Sequence, residues 1–317
     1  MNQPAQAVDP PVSPPPLPDW PEELRPGRVV SVAPGVARLV APNPSFMTGP
    51  GTNSYFLGDT RLALIDPGPD DDVHLAALLE VVGDRLRWVL ATHTHIDHSP
   101  LAVRLQQATG AEVLGFGPAP LHQVAGLDAH DRAFAPDRLL GDGDRLDTGE
   151  VSIDAVYTPG HASNHLCFEL AGTGLLFSGD HVMSGSTVVI APPDGDMAIY
   201  LESLERVRRR QPRRIAPGHG DVIEDPAAVL DGYLRHRLER EAQVLAGLWA
   251  VPDGVTAEQL VAAIYTDVPA HLHPVAKYSV WAHLRKLAAD GRATAAEPDD
   301  PSAPWRPVAR PGPRRGV

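Results

Sequence analysis

Four side chains able to bind a metal ion crowd into six residues of this 317-residue chain: His93, His95, Asp97 and His98, in the run Thr92-His93-Thr94-His95-Ile96-Asp97-His98. The run follows the apolar stretch 88–91 and precedes Ser99-Pro100, which opens a helical pattern. Four such groups at this spacing cannot all face one side of a helix or a strand, but on a loop at a strand's end they can converge. Imidazole and carboxylate are the ligands zinc takes where thiolates are missing. They are missing here: Cys167 is the only cysteine, which excludes an intrachain disulfide, an all-cysteine zinc site and a CxxC redox pair. Three more candidates sit in glycine-rich turns that close β-prone runs. They are His161 in Thr158-Pro159-Gly160-His161, Asp180 in Phe177-Ser178-Gly179-Asp180, and His219 in Pro217-Gly218-His219-Gly220. Glycine beside each lets the backbone turn sharply and approach closely. A lone histidine in a turn is usually a surface residue or a helix cap. Five histidines and two aspartates on four strand-end loops are not explained that way.

The rest of the chain supplies a frame for these loops. Residues 36–41, 53–57 and 61–65 read as strands, the last closing at the turn Asp66-Pro67-Gly68. The pattern predicts a helix over 71–82, with acids at its positive N-terminus and apolar Val73, Leu75, Leu78 and Leu79. A strand over 88–91, a helix over 100–108 and a strand over 112–114 follow, the alternation of a layered α/β sandwich. Strands return at 151–157, 166–170 and 175–177, and a helix over 198–210 precedes a strand over 214–216. Past Asp225 the texture is helical: 227–250, then 256–265 with Thr256 as its N-cap, then 274–289, followed by the β-prone stretch 292–295. Two helices and a small extended wing after a long helix predict a winged-helix module. The predicted division is a proline-rich tail over 1–26, a catalytic domain over 27–225, the long helix plus winged helix over 226–296, and a second tail over 297–317. Nine of the 34 prolines fall within 1–26 and six within 298–317. Segments such as Pro14-Pro15-Pro16 cannot bury enough apolar area to offset chain entropy.

These residues, in this order, resemble the metallo-β-lactamase-fold hydrolase superfamily over residues 34–225. The resemblance implies an αββα sandwich with a dinuclear metal site along one edge. It implies that His93, His95 and His161 hold one zinc ion, or another divalent metal, that Asp97, His98 and His219 hold a second, and that Asp180 bridges them. Two metals about 3.5–4 Å apart share a bridging water whose pKa falls toward about 7, which supplies a hydroxide nucleophile. Asp97 would orient that hydroxide or take its proton. No serine or cysteine nucleophile is needed, and no P-loop signature is seen. Asp180 sets the chain apart from the secreted β-lactamases, which typically lack the bridging acid, and His95 from the flavodiiron proteins, which carry Glu there. Only 38 residues separate Asp180 from His219, too few for the domain that the large nucleic-acid-processing branch inserts. Gly51-Thr52-Asn53-Ser54-Tyr55, Leu64-Ile65-Asp66-Pro67-Gly68, Gly179-Asp180-His181, Tyr200-Leu201-Glu202-Ser203-Leu204, Tyr233, His236-Arg237 and Arg240-Glu241 are similar to the lactamase-beta-like protein 2 group over residues 34–296. Characterised members of that group are zinc-dependent single-strand endoribonucleases, and glyoxalase II-type thioesterases are more distant relatives. Two departures stand out: Ala162 where the group usually has Thr, and Ser99-Pro100 where nucleolytic relatives often show Ser-Gly-Gly. The second bears on substrate identity more than on metal binding.

The expected function is a binuclear zinc-dependent hydrolase with single-stranded RNA as the leading substrate and a small ester, thioester or lactone as the alternative. A non-catalytic regulator using the winged helix for nucleic acid is a third reading, disfavoured because every ligand position is filled. Lys+Arg 27 against Asp+Glu 40 gives a net charge of −13, which excludes a uniformly basic nucleic-acid wrapper and leans toward the small substrate. The densest basic run, Arg206, Arg208, Arg209, Arg210, Arg213 and Arg214, reads either as an RNA contact or as an exposed helix face near a negative C-terminus. His165 and His181 are candidate catalytic groups, as general acids or as hydrogen-bonding partners of ligands, with outward-facing loop histidines the plain alternative. Phe46 and Met47, at the tip of the turn 43–50, and Lys277 and Tyr278 on the third helix are candidate substrate contacts. Asp66 reads as a structural group that hydrogen-bonds a ligand loop. Val280, Trp281 and Leu284 predict a homodimer contact if exposed and module core if not. Arg306, Arg310, Arg314 and Arg315 belong to the predicted solvated tail. With no apolar run of 18 residues and no leader-like start, the expectation is a soluble, cytoplasmic protein with no membrane partner.

Overall fold

Seven strands follow one another in space as they do in sequence: β1 (Val29–Ala33), β2 (Val36–Val40), β3 (Asn53–Leu57), β4 (Leu62–Ile65), β5 (Leu86–Leu90), β6 (Glu112–Gly115) and β7 (Arg138–Leu139). β1 to β4 pair antiparallel and β4 to β7 parallel. Parallel neighbours need crossovers, which α1 (Asp72–Val82) and α2 (Leu101–Thr109) supply for β4–β5 and β5–β6. Asp71 caps α1 by accepting from the His74 amide. The buried stripe of α1 is His74, Leu78 and Val82, spaced by four; Leu75 and Leu79 pack half-buried against the same core, and of the expected apolar face only Val73 points to water. The computed structural model describes residues 19–120, 129–266 and 268–309. The proline clusters at 10–11 and 14–16 and the tail arginines Arg310, Arg314 and Arg315 lie outside the described residues.

A second sheet contains β8 (Arg145–Asp147), β9 (Ser152–Tyr157), β10 (Leu166–Leu170), β11 (Leu175–Gly179) and β12 (Arg214–Pro217). Its pairs are antiparallel except β11–β12, which α3 (Met197–Arg210) joins. The sheets share a core of Leu57, Ile65, Leu90, Ile153, Phe168 and Phe177. α1 and α2 cover the outer face of the first sheet through Leu78, Leu101 and Leu105, and α3 covers the second through Tyr200, Leu204 and Val207. This is the αββα sandwich that the sequence implied.

The C-terminal module is built from α4 (Pro226–Ala250), α5 (Ala257–Ile264), α6 (His273–Ala289) and a hairpin of β13 (Ala293–Thr294) with β14 (Arg306–Pro307). Thr256 and Gln259 form a capping box at the start of α5. The winged helix therefore runs past the boundary expected at 296, and β14 with Arg306 falls in the segment read as tail. Trp305, fully buried, packs in the module core with Val280, Trp281 and Leu284. Proline density misleads here because β14 is an edge strand, where proline is tolerated. Val280, Trp281 and Leu284 offer no surface for a homodimer contact, since all three are core. The first tail is also shorter than expected: Leu24 is buried, and the Glu23 carbonyl accepts from Arg38. No helix among the described residues is long and apolar enough to cross a membrane.

Candidate metal centre

Each candidate ligand follows the carboxyl end of a strand: His93, His95, Asp97 and His98 after β5, His161 after β9, Asp180 after β11 and His219 after β12. Among the described residues the seven gather into two groups, in each of which the ligand atoms lie within 4.8 Å of one another: His93, His95, His161 and Asp180, and Asp97, His98 and His219. In the first, His93 Nε2 and His161 Nε2 lie 2.9 and 3.0 Å from His95 Nδ1, and Asp180 Oδ2 lies 3.6 Å from His161 Nε2. In the second, Asp97 Oδ2 is 3.3 Å from His219 Nε2 and 3.6 Å from His98 Nε2. Asp180 reaches both, because its Oδ1 is 3.4 Å from His98 Nε2 and 3.3 Å from His219 Nε2. One carboxylate with an oxygen toward each group is the arrangement a bridging ligand requires. Gly218 leaves the space for it: a Cβ there would fall 2.8 Å from both Asp180 Oδ1 and the His98 ring.

The rings are oriented from behind. An imidazole that donates its remote N–H to the protein keeps the lone pair of its other nitrogen for a metal. His98 Nδ1 donates to Asp66 Oδ2 at 2.9 Å, His161 Nδ1 to the Val189 carbonyl at 2.8 Å and His219 Nδ1 to the Gly51 carbonyl at 3.2 Å. His93 Nδ1 donates to the Thr92 hydroxyl at 3.0 Å, and that hydroxyl donates to Asp66 Oδ2 at 2.8 Å. Asp66 thus does more than brace a loop, since it orients a ligand directly.

Electrostatics separates the two groups. Burial, reinforced by neighbouring imidazoles, holds His93 well below its ordinary value and His95 at about 3. Burial likewise lowers His161. These rings are neutral at pH 7, as metal ligands must be. His98 and His219 are as deeply buried, yet the Asp97 and Asp180 carboxylates outweigh burial, raising His98 well above its ordinary value and His219 to about 9. In return, those histidines hold Asp97 and Asp180 below the usual carboxylate range despite burial. His98 Nε2 and Asp180 Oδ1 are buried without a hydrogen-bond partner. Buried, facing and unsatisfied ligand atoms fit a divalent cation that displaces the proton held there.

Other sequence candidates lie elsewhere. His165 is fully buried behind the centre: Nε2 accepts from the Asp180 amide at 3.2 Å and Nδ1 donates to the Thr158 hydroxyl at 2.9 Å, so the ring props Asp180. His181 is fully buried against the Tyr200 ring, and burial pushes it down to about 3. A general acid needs a proton at working pH and reach to the substrate. Burial lowers both rings, and both are fully buried, which favours the reading of them as partners of ligands over the reading as general acids. Phe46 and Met47 are exposed on the loop that flanks His219 through the Thr52–His219 bridge, and the Phe46 ring lies 5.0 Å from that of His271. Tyr278 packs against the C-terminal module core with Lys277 Nζ 5.2 Å from its ring centroid, and among the described contacts neither reaches the ligand groups. His130 escapes a reading of the sequence. Its ring lies 4.7 Å from that of His95, with the Thr94 hydroxyl 2.9 Å from Nδ1 and Asp194 Oδ2 3.1 Å from Nε2. No motif spacing marks either His130 or Asp194.

The sandwich and its ligand-bearing edge define a class, the metal-dependent hydrolases of the metallo-β-lactamase fold. The model of the metallo-beta-lactamase superfamily matches residues 47–219 and that of the beta-lactamase associated winged helix domain residues 256–301. The chain belongs to the metallo-beta-lactamase superfamily. It is 34% identical over 276 residues to a beta-lactamase-like protein 2 homolog of Drosophila melanogaster, covering 83% of this chain and 91% of that one. It is 29% identical over 273 residues to an atrochrysone carboxyl ACP thioesterase of Aspergillus fumigatus, covering 80% and 79%. Among solved structures, a metallo-beta-lactamase family protein from Thermus thermophilus is similar in fold, with a TM-score of 0.73 at 22% identity over 88% of this chain and 100% of that one.

Proposed function

We propose that the chain hydrolyses a small acyl thioester or ester with two divalent cations, held by His93, His95, His161 and Asp180 on one side and by Asp97, His98, His219 and the same Asp180 on the other. Imidazole and carboxylate donors without thiolate suit zinc. Such a pair, when bound, supplies Lewis-acid polarisation of the substrate oxygen and a water acidified toward a pKa of about 7. The chain's own residues do the rest. In the metal-free chain His98 and His219 already hold Asp97 ionised despite its burial, and with its side chain 24% exposed it can take the proton of the attacking water. His93, His95 and His161 present neutral donors, and Asp66, Val189 and Gly51 keep their partners' rings aimed inward.

The observation that carries the substrate class is that four of the six arginines of the basic run are already paired, with no ion pair seen for Arg209 or Arg213 among the described contacts. Arg206 pairs with Asp142 at 3.0 Å, Arg208 with Glu205 at 2.8 Å, Arg210 with Glu169 at 2.6 Å and Arg214 with Glu224 at 2.5 Å. Tracking a polyanion calls for cations that are not already neutralised. The thioesterase named among the relatives supports the same reading. The single-strand endoribonuclease reading rests on family resemblance and comes second. The test assays the zinc-loaded chain on lactoylglutathione, an acyl-coenzyme A and simple lactones beside single-stranded RNA. Turnover of an acyl substrate is expected, abolished in His95→Ala and reduced about 10²- to 10⁴-fold in Asp97→Asn. RNA cleavage that disappears in His95→Ala, with no acyl turnover, overturns the proposal.

A further inference from the structure

Residues 181–195, between β11 and α3, form no helix or strand. Even so, Val188 and Ile190 are buried, and the Val189 carbonyl between them accepts the His161 Nδ1 hydrogen bond. An acceptor on irregular backbone is only as fixed as the peptide groups on either side of it. Here the preceding peptide group, through the Val188 carbonyl, and the acceptor's own peptide group, through the Ile190 amide, are both tied to the C-terminal module. The Val188 carbonyl accepts from Arg237 Nη2 on α4, and the Ile190 amide donates to Ser279 Oγ on α6 at 3.4 Å. Closer to β11, the Tyr233 hydroxyl of α4 accepts from the Met183 amide at 2.9 Å and donates to the Ser186 carbonyl. Arg237 is 2% exposed, and its guanidinium lies 5.4 Å from the Tyr200 ring centroid. Burying a cation that deeply is costly; its Nη2 is spent on the Val188 carbonyl, while its Nε has no hydrogen-bond partner.

We propose that Arg237 and Ser279 are positioning residues for His161: the C-terminal module clamps the peptide groups around Val189 and so completes the His93, His95, His161 and Asp180 group. This rests on the metal reading above. A helical module appended to a sandwich thereby acquires a part in building the site, acting through the backbone of a loop.

The test strips the full chain of metal and titrates it with cobalt(II), whose visible absorption reports the ligand geometry at each site. Wild type is expected to take up two ions. Arg237→Met should weaken one site by about 10- to 100-fold, the usual effect of removing an outer partner of a metal-bound histidine. It should change that site's spectrum as His161→Ala does, and leave the other site as in wild type. Arg237→Lys, which keeps a donor, should restore part of the loss, and Ser279→Ala should give a smaller change at the same site. Cooperative urea unfolding checks that each variant is folded; if Arg237→Met is not, Ser279→Ala decides. A folded variant that binds both ions with wild-type affinity and spectrum overturns the proposal, and so does equal weakening of both sites. A wild-type chain that takes up no cobalt overturns the metal reading itself, and the proposal falls with it.

Discussion

Asp66→Asn exchanges one oxygen for an amide nitrogen and should disable a ligand that it leaves in place. Asp66 is 1% exposed and accepts three hydrogen bonds. Oδ1 serves the Thr92 amide at 2.7 Å, and Oδ2 serves the Thr92 hydroxyl at 2.8 Å and His98 Nδ1 at 2.9 Å. Asparagine must keep its carbonyl toward the Thr92 amide, a fixed donor, so its NH2 meets the hydroxyl and the ring. The hydroxyl can rotate and accept. The His98 N–H cannot, and a bond forms only if Nδ1 gives up its proton, which places the neutral ring's hydrogen on Nε2. Nε2 is the atom 3.6 Å from Asp97 and 3.4 Å from Asp180, and once protonated it no longer coordinates. Losing a buried hydrogen bond to a charged group costs about 1.5–3 kcal/mol of stability. Metal affinity at the Asp97, His98 and His219 group should fall by about 10- to 100-fold, which corresponds to about 1.4–2.8 kcal/mol. Competition against a chelator of known affinity measures the second quantity, and urea unfolding the first. A folded Asp66→Asn chain that binds its second ion as tightly as wild type refutes the reasoning, as does a loss confined to the other group.

In the metal-free chain, burial opposes but Asp180 and Asp97 raise His219 from 6.5 to about 9. A group raised in the folded state stabilises fully below its unfolded value and loses that contribution as pH passes its folded value. Stability of the metal-free chain should therefore fall between pH 6.5 and about 9, by on the order of 3 kcal/mol, and urea midpoints measured across that window in metal-free and zinc-loaded protein should differ in slope. Trp305→Ala should cost about 3–5 kcal/mol in urea unfolding, because the ring is fully buried in the module core; a loss of the size of a surface substitution would return residues 297–309 to a tail. Combining Arg206→Ala with Arg210→Ala removes two exposed ion pairs, so stability should change by no more than about 1 kcal/mol and acyl turnover should stay as in wild type, which a steady-state assay checks directly.

The frame is legible where periodicity and turn chemistry agree. The strand expected over 53–57 is β3 with the same bounds, and Thr256 caps α5 as its position suggests. The elements that escape carry little pattern to read. β1 alternates only between exposed and half-buried residues, β7 and β14 have two residues each, and β14 lies amid prolines. The seven candidate ligands are legible because their side chains are chemically distinctive and glycines mark their turns. What aims them is not, because two of the acceptors are main-chain carbonyls, at Gly51 and Val189. Such an acceptor has no residue type to betray it and becomes visible only when the loops are seen together.

The placement of His165 and His181 has a different cause, and it bears on the reaction. Nearness in sequence to a ligand suggests nearness to the substrate, but Asp180 and His181 lie in the turn that closes β11, where the His181 amide donates to the Ser178 carbonyl at 2.9 Å, and that turn sends their side chains different ways. Asp180 turns toward the ligand groups, and His181 turns toward Tyr200 under α3. His165 sits just before β10 with both nitrogens engaged. Both are fully buried, which sets them apart from a group that would meet a departing one. An alkoxide leaving from an RNA phosphodiester, or from an ordinary ester, is strongly basic and calls for a proton or a cation to receive it. A thiol, with a pKa near about 8.5, departs readily as thiolate. Asp97, with 24% of its side chain exposed against 11% for Asp180, then needs only to accept the proton of water. A thioester is the substrate class that asks of this site no acid beyond those it holds.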